Sequence, residues 1–364
     1  MIAEPPRPCR AAAGVLILGE IGIGRTVHPA APKPETWIRS TPAGLYCEPA
    51  DLYIDPTRKA ARAVITHGHS DHARPGHERV LATAATLALM EERYGNRAGR
   101  ERQALDYGVP LRLGEVTVRL LPAGHVLGSA QVALDYRGSR VVVSGDYKRR
   151  RDPTCAEFVP ESCDVFVTEA TFGLPVFRHP HDRDEIGKLL RSIRLFPERT
   201  HLVGVYSLGK CQRVIALLRE AGYDTPIYLD AALAPYCAVY ERFGVALGRL
   251  LPLEEAGREE LAGQIVLSTP GGDDEWLRQF PAPLVAMASG WMLVRARARS
   301  WGVELPLVLS DHADWDELNQ TLLDVRAPEV WVTHGREEAL IRQAARNGIR
   351  ARALSLAGFA EEGS

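Results

Sequence analysis

The sequence is poor in cysteine, lacks long hydrophobic runs and carries almost no excess charge. Its 364 residues include six cysteines without any Cys-x-x-Cys pair, so we expect no disulfide framework and a reducing, cytoplasmic compartment. No apolar run reaches the length of a transmembrane helix, and no membrane partner is expected. A formal net charge of −2 excludes a globally basic nucleic-acid binder, so any attraction to phosphate must be local. What remains is an ordinary globular protein, long enough for two domains.

Histidine is scarce as well, but its distribution is uneven. The chain has 11 histidines, and three of them, His67, His69 and His72, fall within six residues together with Asp71. The apolar run before them is typical of a buried strand, and Gly68 lets the backbone turn after it. Imidazole and carboxylate ligands suit zinc, with manganese or iron possible on ligand type. A histidine-rich surface loop is the alternative, but this clustering within so small a number of histidines favours a metal site.

Two further candidate ligands follow predicted strands. His125 comes after the alternating strand 116–121, and Asp146 follows the buried strand 141–144. Either residue alone would be weak evidence, since Gly-Asp after a strand is commonly a turn, although loops at strand ends often carry chemistry. In this order behind His-x-His-x-Asp-His, the set resembles the ligand motifs of the metallo-β-lactamase superfamily. The resemblance implies that Asp146 bridges two divalent metal ions.

The second half of the sequence alternates helices with strands. Between residues 175 and 299 we predict helices at about 182–196 and 210–220, and strands at 201–206, 227–229, 264–267 and 283–287. Such alternation predicts a mainly parallel sheet. Before it, a buried strand ends near Glu169, and after it strands lead into His312 and His334.

Glu169, His312 and His334 narrow the resemblance to the β-CASP nucleases, in which an α/β insert interrupts the metallo-β-lactamase core. They match that family's motifs A, B and C in order. His334 departs from the crosslink-repair branch, which usually has valine there, and favours a complete second metal site. The phrases GLYCE at 44–48, YKRRRD at 147–152 and SGWM at 289–292 look like the bacterial DNA ligase-associated exonuclease group. The resemblance covers roughly residues 38–360.

The resemblance implies an α/β fold: a metallo-β-lactamase αββα sandwich with an inserted β-CASP α/β domain. The expected divisions are a disordered extension at 1–36, the first part of the metallo-β-lactamase domain at 37–175, the β-CASP insert at 176–300 and the second part of the metallo-β-lactamase domain at 301–364.

The resemblance also implies a set of site residues and two divalent metal ions, Zn²⁺ first and Mn²⁺ as the alternative. The expected ligands are His67, His69 and His125 for one ion, Asp71, His72 and His334 for the other, and Asp146 for both. The expected catalytic residues are Asp71, Asp146, Glu169 and His312. A protonated His312 would donate to the leaving oxygen, while Glu169 would hold its imidazole in orientation.

Five residues are weaker candidates for contacts with substrate: Lys148, Arg149, Lys210, Ser289 and Arg295. The basic run 147–151 adjoins Asp146, so a phosphate contact and a solvated loop are equally open interpretations. Lys210 opens a predicted helix, where phosphate binds well but solvated lysines are nearly as common. Arg295 shares a face with two other arginines only if the segment is a strand; on a helix they would scatter, which is the favoured interpretation. Ser289 is a candidate by resemblance alone.

The predicted function is that of a two-metal phosphodiesterase cleaving DNA, an exonuclease in repair, and the subgroup resemblance implies association with a DNA ligase and a helicase. An RNA-processing nuclease is the alternative within the same class. Small-molecule hydrolases share the metal core but lack the α/β insert and the histidine that His312 matches. An inactive scaffold would have lost ligands, whereas every expected ligand is present.

Overall fold

The computed structural model describes residues 31–270 and 277–354, which form three β-sheets and the helices that cover them. The predicted extension at 1–36 lies outside the described residues except for its last six, which include a short 3₁₀ helix, Pro34–Thr36. No helix within the described ranges is both long and apolar enough to cross a membrane. The five cysteines there are free, and the sulfur atoms of Cys211 and Cys237 lie 3.9 Å apart.

The described ranges contain seven α-helices and nineteen β-strands. The helices are α1 (Ala84–Tyr94), α2 (Asp182–Leu195), α3 (Lys210–Glu220), α4 (Ala234–Arg242), α5 (Arg295–Ser300), α6 (Trp315–Asp324) and α7 (Glu337–Arg346). The strands are β1 (Ile38–Thr41), β2 (Gly44–Cys47), β3 (Leu52–Ile54), β4 (Arg62–Val64), β5 (Arg79–Ala82), β6 (Glu101–Ala104), β7 (Leu111–Leu113), β8 (Val116–Pro122), β9 (Ala130–Tyr136), β10 (Ser139–Val143), β11 (Val165–Ala170), β12 (His201–Gly204), β13 (Ile227–Leu229), β14 (Leu250–Pro252), β15 (Ile265–Ser268), β16 (Leu284–Ala288), β17 (Leu305–Leu307), β18 (Glu329–Gly335) and β19 (Arg350–Ala353).

Two mixed sheets pack face to face over the largest core of the first half. One has the strand order β1-β2-β3-β4-β5-β6 and the other β19-β18-β11-β10-β9-β8-β7. Leu45 and Val64 of the first sheet meet Val132, Val141 and Trp331 of the second, and all five side chains are buried. Alternate residues of each strand point into this core, as the two-residue repeat of a strand requires.

The remaining faces of the two sheets are covered by helices. Ala63, on the outer face of β4, packs with Met90 of α1. Phe166, on the outer face of β11, packs with Leu318 of α6 and Leu340 of α7. The order of layers is therefore helix, sheet, sheet, helix, and the prediction of a mixed α/β protein is confirmed.

The third sheet is wholly parallel, with the order β14-β13-β15-β12-β16-β17. One face packs on helices α2, α3 and α4, with Leu189, Ile215 and Tyr240 against Val203 and Leu267. All of its strands come from the chain between β11 and β18. The predicted mainly parallel sheet is confirmed. After each strand a helix or loop carries the chain back to the opposite end of the sheet, so the next strand runs in the same direction.

The residue pattern from Ala82 to Arg100 is typical of one amphipathic helix, but the helix in the structure is shorter. Thr83 caps α1 at its start by accepting a hydrogen bond from the Thr86 amide, and the α-helix ends at Tyr94. Gly95 then adopts φ of 56°, a left-handed conformation that glycine takes without strain and that ends helices. A 3₁₀ turn, Gly95–Ala98, accounts for the rest of the helical pattern.

Strand direction brings the candidate ligands to one edge. Strands β8, β10, β11 and β18 all run the same way, because β9 reverses the chain between β8 and β10, and the other three pair in parallel. Their carboxyl ends carry His125, Asp146, Glu169 and His334. The loop 67–72, which follows β4 of the other sheet, reaches the same place.

Gly335 closes β18 where its pairing with β11 changes register. Its φ is +83°, and a Cβ atom there would overlap the carbonyl oxygen of Ala170. We predict that Gly335→Ala lowers the free energy of unfolding by about 1–3 kcal/mol more than Gly348→Ala does. Gly348 is the matched control, since its φ is +76° but nothing lies within 4 Å of the added atom. Urea unfolding of both variants measures the difference, and equal losses would contradict the steric argument.

Candidate metal centre

Three imidazole nitrogens converge at the buried end of β4 and β8. His69 Nδ1 lies 3.0 Å from His67 Nε2 and 3.0 Å from His125 Nε2. Two nitrogens bound to one tetrahedral Zn²⁺ at about 2.0–2.1 Å would be about 3.3 Å apart, so little movement separates this arrangement from a ligand set. Asp146 Oδ2 lies 3.4 Å from His67 Nε2 and 3.8 Å from His125 Nε2, completing a group of four possible ligands.

The second nitrogen of each of these rings is hydrogen-bonded on the outside of the cluster. His125 Nδ1 donates to the carbonyl oxygen of Asp311 at 2.8 Å, and His69 Nε2 donates to that of Leu208 at 3.2 Å. His67 Nδ1 lies 3.1 Å from Thr66 Oγ1. Since Thr66 Oγ1 donates its own hydrogen to a carboxylate, it accepts one from His67. Each imidazole therefore turns an unprotonated nitrogen inward.

Three inward lone pairs so close together repel one another unless a cation lies between them. Burial lowers the pKa values of His67 and His125 well below the usual range, and the neighbouring imidazoles lower them further. Both rings are thus neutral, the form in which imidazole binds metal. The buried histidine and aspartate cluster fits a divalent metal ion.

A second group of ligands shares Asp146 with the first. Asp146 Oδ2 is 3.4 Å from His72 Nε2, and Asp146 Oδ1 is 3.9 Å from His334 Nδ1. Asp71 Oδ2 lies 3.6 Å from His72 Nε2, on the same side. The structure thus brings together all seven residues predicted as ligands, and it places the Asp146 carboxylate between the two groups.

In the second group of ligands, bound protons offset the negative charge of the carboxylates. A metal cation would replace these protons. Burial raises the pKa of Asp146 to about 8. Burial opposes protonation of His72, but the carboxylates of Asp146 and Asp55 outweigh it and raise the pKa of His72 to about 10. Burial and nearby His72 lower the pKa of His334 to about 4. A divalent ion facing Asp146 would supply the positive charge that the His72 proton now provides.

Asp55 is a site residue that the sequence analysis missed. Its Oδ2 atom accepts hydrogen bonds from His72 Nδ1 at 2.8 Å and Thr66 Oγ1 at 2.6 Å, and its Oδ1 atom accepts from the Thr66 amide at 2.8 Å. One carboxylate thus orients His72 directly and His67 through Thr66. The signal in the sequence was an aspartate placed directly after β3, ahead of the histidine loop.

Glu169 and His312 form a pair beside the two ligand groups. Both carboxylate oxygens of Glu169 lie 3.0 Å from His312 Nδ1. Burial alone would raise the pKa of Glu169, but His312 and hydrogen bonds from Thr171 and the Tyr147 amide lower it, so the carboxylate stays ionised. Nδ1 of His312 is therefore committed to the Glu169 carboxylate. The side chains of Asp146, Glu169 and His312 converge closely enough to form a third group of possible ligands.

A cleft of about 400 Å³ opens beside His69 and His312. This volume is within the range of cavities that hold small organic ligands. The third sheet and its loops supply part of the lining, including Tyr206, Ser289 and Trp291. The cleft therefore lies between the candidate ligands and the parallel sheet.

Two of the five predicted substrate contacts, Lys210 and Ser289, line this cleft. The Lys210 ammonium is nevertheless buried, and it donates to the carbonyl oxygen of Leu309 at 2.8 Å and pairs with Asp311 at 2.9 Å. Ser289 Oγ accepts a hydrogen bond from the Trp291 amide at 3.3 Å. Contact of either residue with substrate stays a prediction.

The structure places the other three predicted contacts away from the cleft lining. Lys148 is 1% exposed and pairs with Asp152 at 3.1 Å, so its charge is satisfied inside the protein. Arg149 pairs with Asp324 at 2.6 Å. Arg295 is exposed at the start of α5, a helix on which Arg299 lies on the same face as Arg295 and Arg297 on a different one.

No protein-family model matches the chain. A probable DNA ligase of Opitutus terrae is 29% identical over 321 residues, which cover 85% of this chain and 30% of the ligase. The cleavage and polyadenylation specificity factor subunit 3-I of Arabidopsis thaliana is 23% identical, with 77% of this chain and 52% of the factor covered. Ribonuclease TTHA0252 of Thermus thermophilus is 26% identical, with 86% and 89% covered. The chain is related to the β-CASP nucleases of the metallo-β-lactamase superfamily.

The relationship to the β-CASP nucleases implies the metallo-β-lactamase fold, in agreement with the two sheets and their outer helices. A crystal structure of a protein of unknown function from Enterococcus faecalis V583 has a TM-score of 0.52 and 15% identity, covering 81% of this chain and 79% of that one. That likeness concerns the fold alone. The chain spans only about a third of the ligase and half of the cleavage factor, so it shares one region with each of them.

We predict that Asp55→Asn weakens the binding of Zn²⁺ to the apoprotein by about 10- to 100-fold, the usual cost of losing a partner that orients a metal ligand. Asparagine keeps one oxygen for the Thr66 amide but presents an amide group, a donor, to His72 Nδ1 or to the Thr66 hydroxyl. Competition with a chromophoric chelator measures the affinity.

Asp51→Asn is the matched control for this test. Asp51 shares the left-handed backbone of Asp55, with φ values of 46° and 43°, but it is exposed, and among the described contacts its side chain accepts only from the Tyr46 hydroxyl. Its Zn²⁺ affinity should equal that of the wild type. Equal affinities for the two variants would show that Asp55 does not orient the ligands.

Proposed function

We propose that this chain is a metal-dependent phosphodiesterase that cleaves DNA as an exonuclease in repair. The observation that carries the proposal is the position of one carboxylate. Asp146 Oδ2 is 3.4 Å from both His67 Nε2 and His72 Nε2, so it joins two groups of ligands, and the His312–Glu169 pair lies beside it. Two adjacent metal ions with a general acid beside them can catalyse phosphodiester hydrolysis.

The proposed ligands are divided between two ions, with Zn²⁺ favoured and Mn²⁺ as the alternative. They are His67, His69 and His125 for the first, Asp71, His72 and His334 for the second, and Asp146 for both. When bound, the ions would supply Lewis-acid stabilisation of the phosphate and a water of lowered pKa. Imidazole and carboxylate donors suit both Zn²⁺ and Mn²⁺, so the ligand set does not discriminate between the two metals.

The remaining chemistry belongs to side chains of the protein. His312, held at Nδ1 by Glu169, delivers a proton from Nε2 to the leaving oxygen as the phosphorus–oxygen bond breaks. The ionised carboxylate of Glu169 stabilises the protonated imidazole and keeps its ring in place. Glu169 is buried and the His312 side chain is only 11% exposed, so little water reaches the hydrogen bond that joins them.

We assign the third sheet and its helices to the β-CASP insert, with the divisions 37–175, 176–300 and 301–364; the last strand of that sheet, β17, lies just beyond the boundary at residue 300. The continuity of parallel strands from β12 to β17 supports this assignment. In this arrangement the insert forms one wall of the cleft and the two-sheet body the other. A polynucleotide end entering the cleft would meet the ligands at its inner side.

DNA is the favoured substrate because the relative from Opitutus terrae is named a DNA ligase, and because the phrases at 44–48, 147–152 and 289–292 resemble the ligase-associated exonucleases. Association with a ligase and a helicase is proposed on that resemblance. RNA processing is the second candidate, supported by the cleavage factor and the ribonuclease, which match most of this chain.

We predict stepwise shortening of DNA oligonucleotides by the purified protein with Zn²⁺ or Mn²⁺. Matched DNA and RNA oligonucleotides, labelled at either end, are incubated with the wild type, with Asp146→Ala and with Asp224→Ala. Asp146→Ala should be inactive because both ligand groups lose their shared carboxylate, whereas Asp224 is exposed and remote in sequence from every candidate ligand. The labelled end that disappears first gives the polarity.

Three other outcomes of this assay would change the proposal. Preferential cleavage of RNA would favour the processing function, and products of internal cleavage would replace the exonuclease with an endonuclease. Intact oligonucleotides with every metal, from a protein that binds two ions, would contradict the nuclease and favour a small-molecule substrate.

We predict that His312→Ala lowers the rate of cleavage by about 10²- to 10⁴-fold, the usual contribution of a general acid. An oligonucleotide with sulfur in place of the leaving oxygen needs no such proton, so the variant should cleave it at nearly the wild-type rate. Single-turnover rates on both substrates measure the effect. An equal loss on the two substrates would show that His312 is not the proton donor.

A further inference from the structure

Two of the three imidazoles in the first ligand group are held by backbone carbonyls from a distant part of the chain. His69 Nε2 donates to Leu208, which precedes α3 of the third-sheet unit, and His125 Nδ1 donates to Asp311, which follows β17. The two-sheet body therefore does not orient these rings alone. The positions of Leu208 and Asp311 decide where their lone pairs point.

Leu208 and Asp311 are tied together by the first turn of α3. Lys210 Nζ lies 2.9 Å from Asp311 Oδ1 and donates to Leu309 O at 2.8 Å. Arg213 Nη1 lies 3.0 Å from the same Asp311 oxygen and also donates to the carbonyl oxygen of Ser310. The loop 309–311 is thus bonded to one helical turn through both its side chain and its backbone.

The turn before α3 approaches the loop that carries His125 too closely for any residue except glycine at position 209. Gly209 has φ of +89°, and a Cβ atom added there would lie 2.5 Å from Val126 Cγ1. Val126 is the neighbour of His125. The turn before α3 consequently packs directly against the loop that carries His125. The first turn of α3 also holds Asp311, whose carbonyl oxygen accepts the hydrogen bond from that ring.

The ion pairs belong to a larger buried network with balanced charge. Arg213 also pairs with Asp152 at 3.2 Å and Asp182 at 2.5 Å, and Asp152 pairs with Lys148 at 3.1 Å. Together with Lys210 and Asp311, the network has three cations and three carboxylates. Such groups stay buried only in fixed geometry, because each charge needs its partners in place.

We propose that Asp311 is a positioning residue for the metal centre, and that its ion pairs with Lys210 and Arg213 fix the carbonyl that orients His125. The α/β unit then completes the first metal site in addition to lining the cleft. This inference rests on the metal centre of the proposed function. It gives the buried charge of Lys210 a role that needs no contact with substrate.

The test compares two variants that each remove one carboxylate from Arg213. Asp311→Asn loosens the loop whose carbonyl holds His125, whereas Asp182→Asn leaves that loop with both Lys210 and Arg213. Apoprotein of the wild type and of each variant is titrated with Co²⁺, whose visible spectrum reports the geometry of nitrogen ligands, and with Zn²⁺ against a chelator. Thermal melting is recorded for each protein.

We expect Asp311→Asn to lower the affinity for the first ion by about 10- to 100-fold and to alter the Co²⁺ spectrum. Asp182→Asn should change the affinity less than about threefold and leave the spectrum unchanged, even where both variants melt at lower temperature. Equal affinities and identical spectra for the two variants would overturn the positioning role. A wild type that binds no divalent ion would overturn the metal centre itself, and with it this inference.

Asp311→Asn leaves buried cations short of a partner, so a second variant guards against failure to fold. Lys210→Met combined with Asp311→Asn removes one charge of each sign and keeps Arg213 paired with Asp152 and Asp182. The same loss of affinity is expected from this double variant, because the loop loses both ion pairs of Asp311 and the Lys210 bond to Leu309 and keeps only the bond from Arg213 to Ser310. Wild-type affinity in a folded double variant would also overturn the proposal.

Discussion

Mutual repulsion among converging imidazole nitrogens is the constraint on which the rest of the structure depends. His67, His69 and His125 face one another at hydrogen-bond distance, yet each gives its hydrogen to an acceptor outside the cluster. Such an arrangement is unfavourable by itself and becomes favourable when a cation fills the centre. The surrounding protein must therefore hold each ring by its far nitrogen. Most of the notable contacts around the site, at Asp55, Leu208 and Asp311, serve that requirement.

The supports of the site come from different layers of the fold. Asp55 directly follows β3 of the first sheet. It is hydrogen-bonded to His72 directly and to His67 through Thr66. Leu208 and Asp311 come from the chain that builds and leaves the third sheet. Parallel strands make this possible, since their carboxyl ends meet at one edge and their loops reach the same volume. The cost is a buried network of ions, which the protein offsets by pairing every cation with a carboxylate.

The names of the relatives point to different substrates. One is named a DNA ligase, one a cleavage and polyadenylation factor and one a ribonuclease. Folds of this kind support many reactions, so the substrate must be inferred from the cleft. Here the cleft joins an acid–carboxylate pair to a wall of the parallel sheet. In the proposed function, a polyanionic chain end would be positioned by the ions and cut beside His312.

The sequence by itself determined the ligand types, their order and the alternation that builds the parallel sheet. Histidine and aspartate after apolar runs are local signals, so residues 67–72, His125, Asp146 and His334 were all found. Four strands of the third sheet, β12, β13, β15 and β16, were also placed within a few residues, whereas β14 was not predicted. Tertiary structure alone decided which groups hold those ligands. Backbone carbonyls such as those of Leu208 and Asp311 exist at every position and leave no mark in a sequence, because their role comes only from where the folded chain places them. For the same reason Lys148 and Lys210, which were candidates for phosphate contacts, proved to be buried. Asp311, the partner of Lys210, lies far away in the chain, and Asp152, the local partner of Lys148, is itself paired with the distant Arg213.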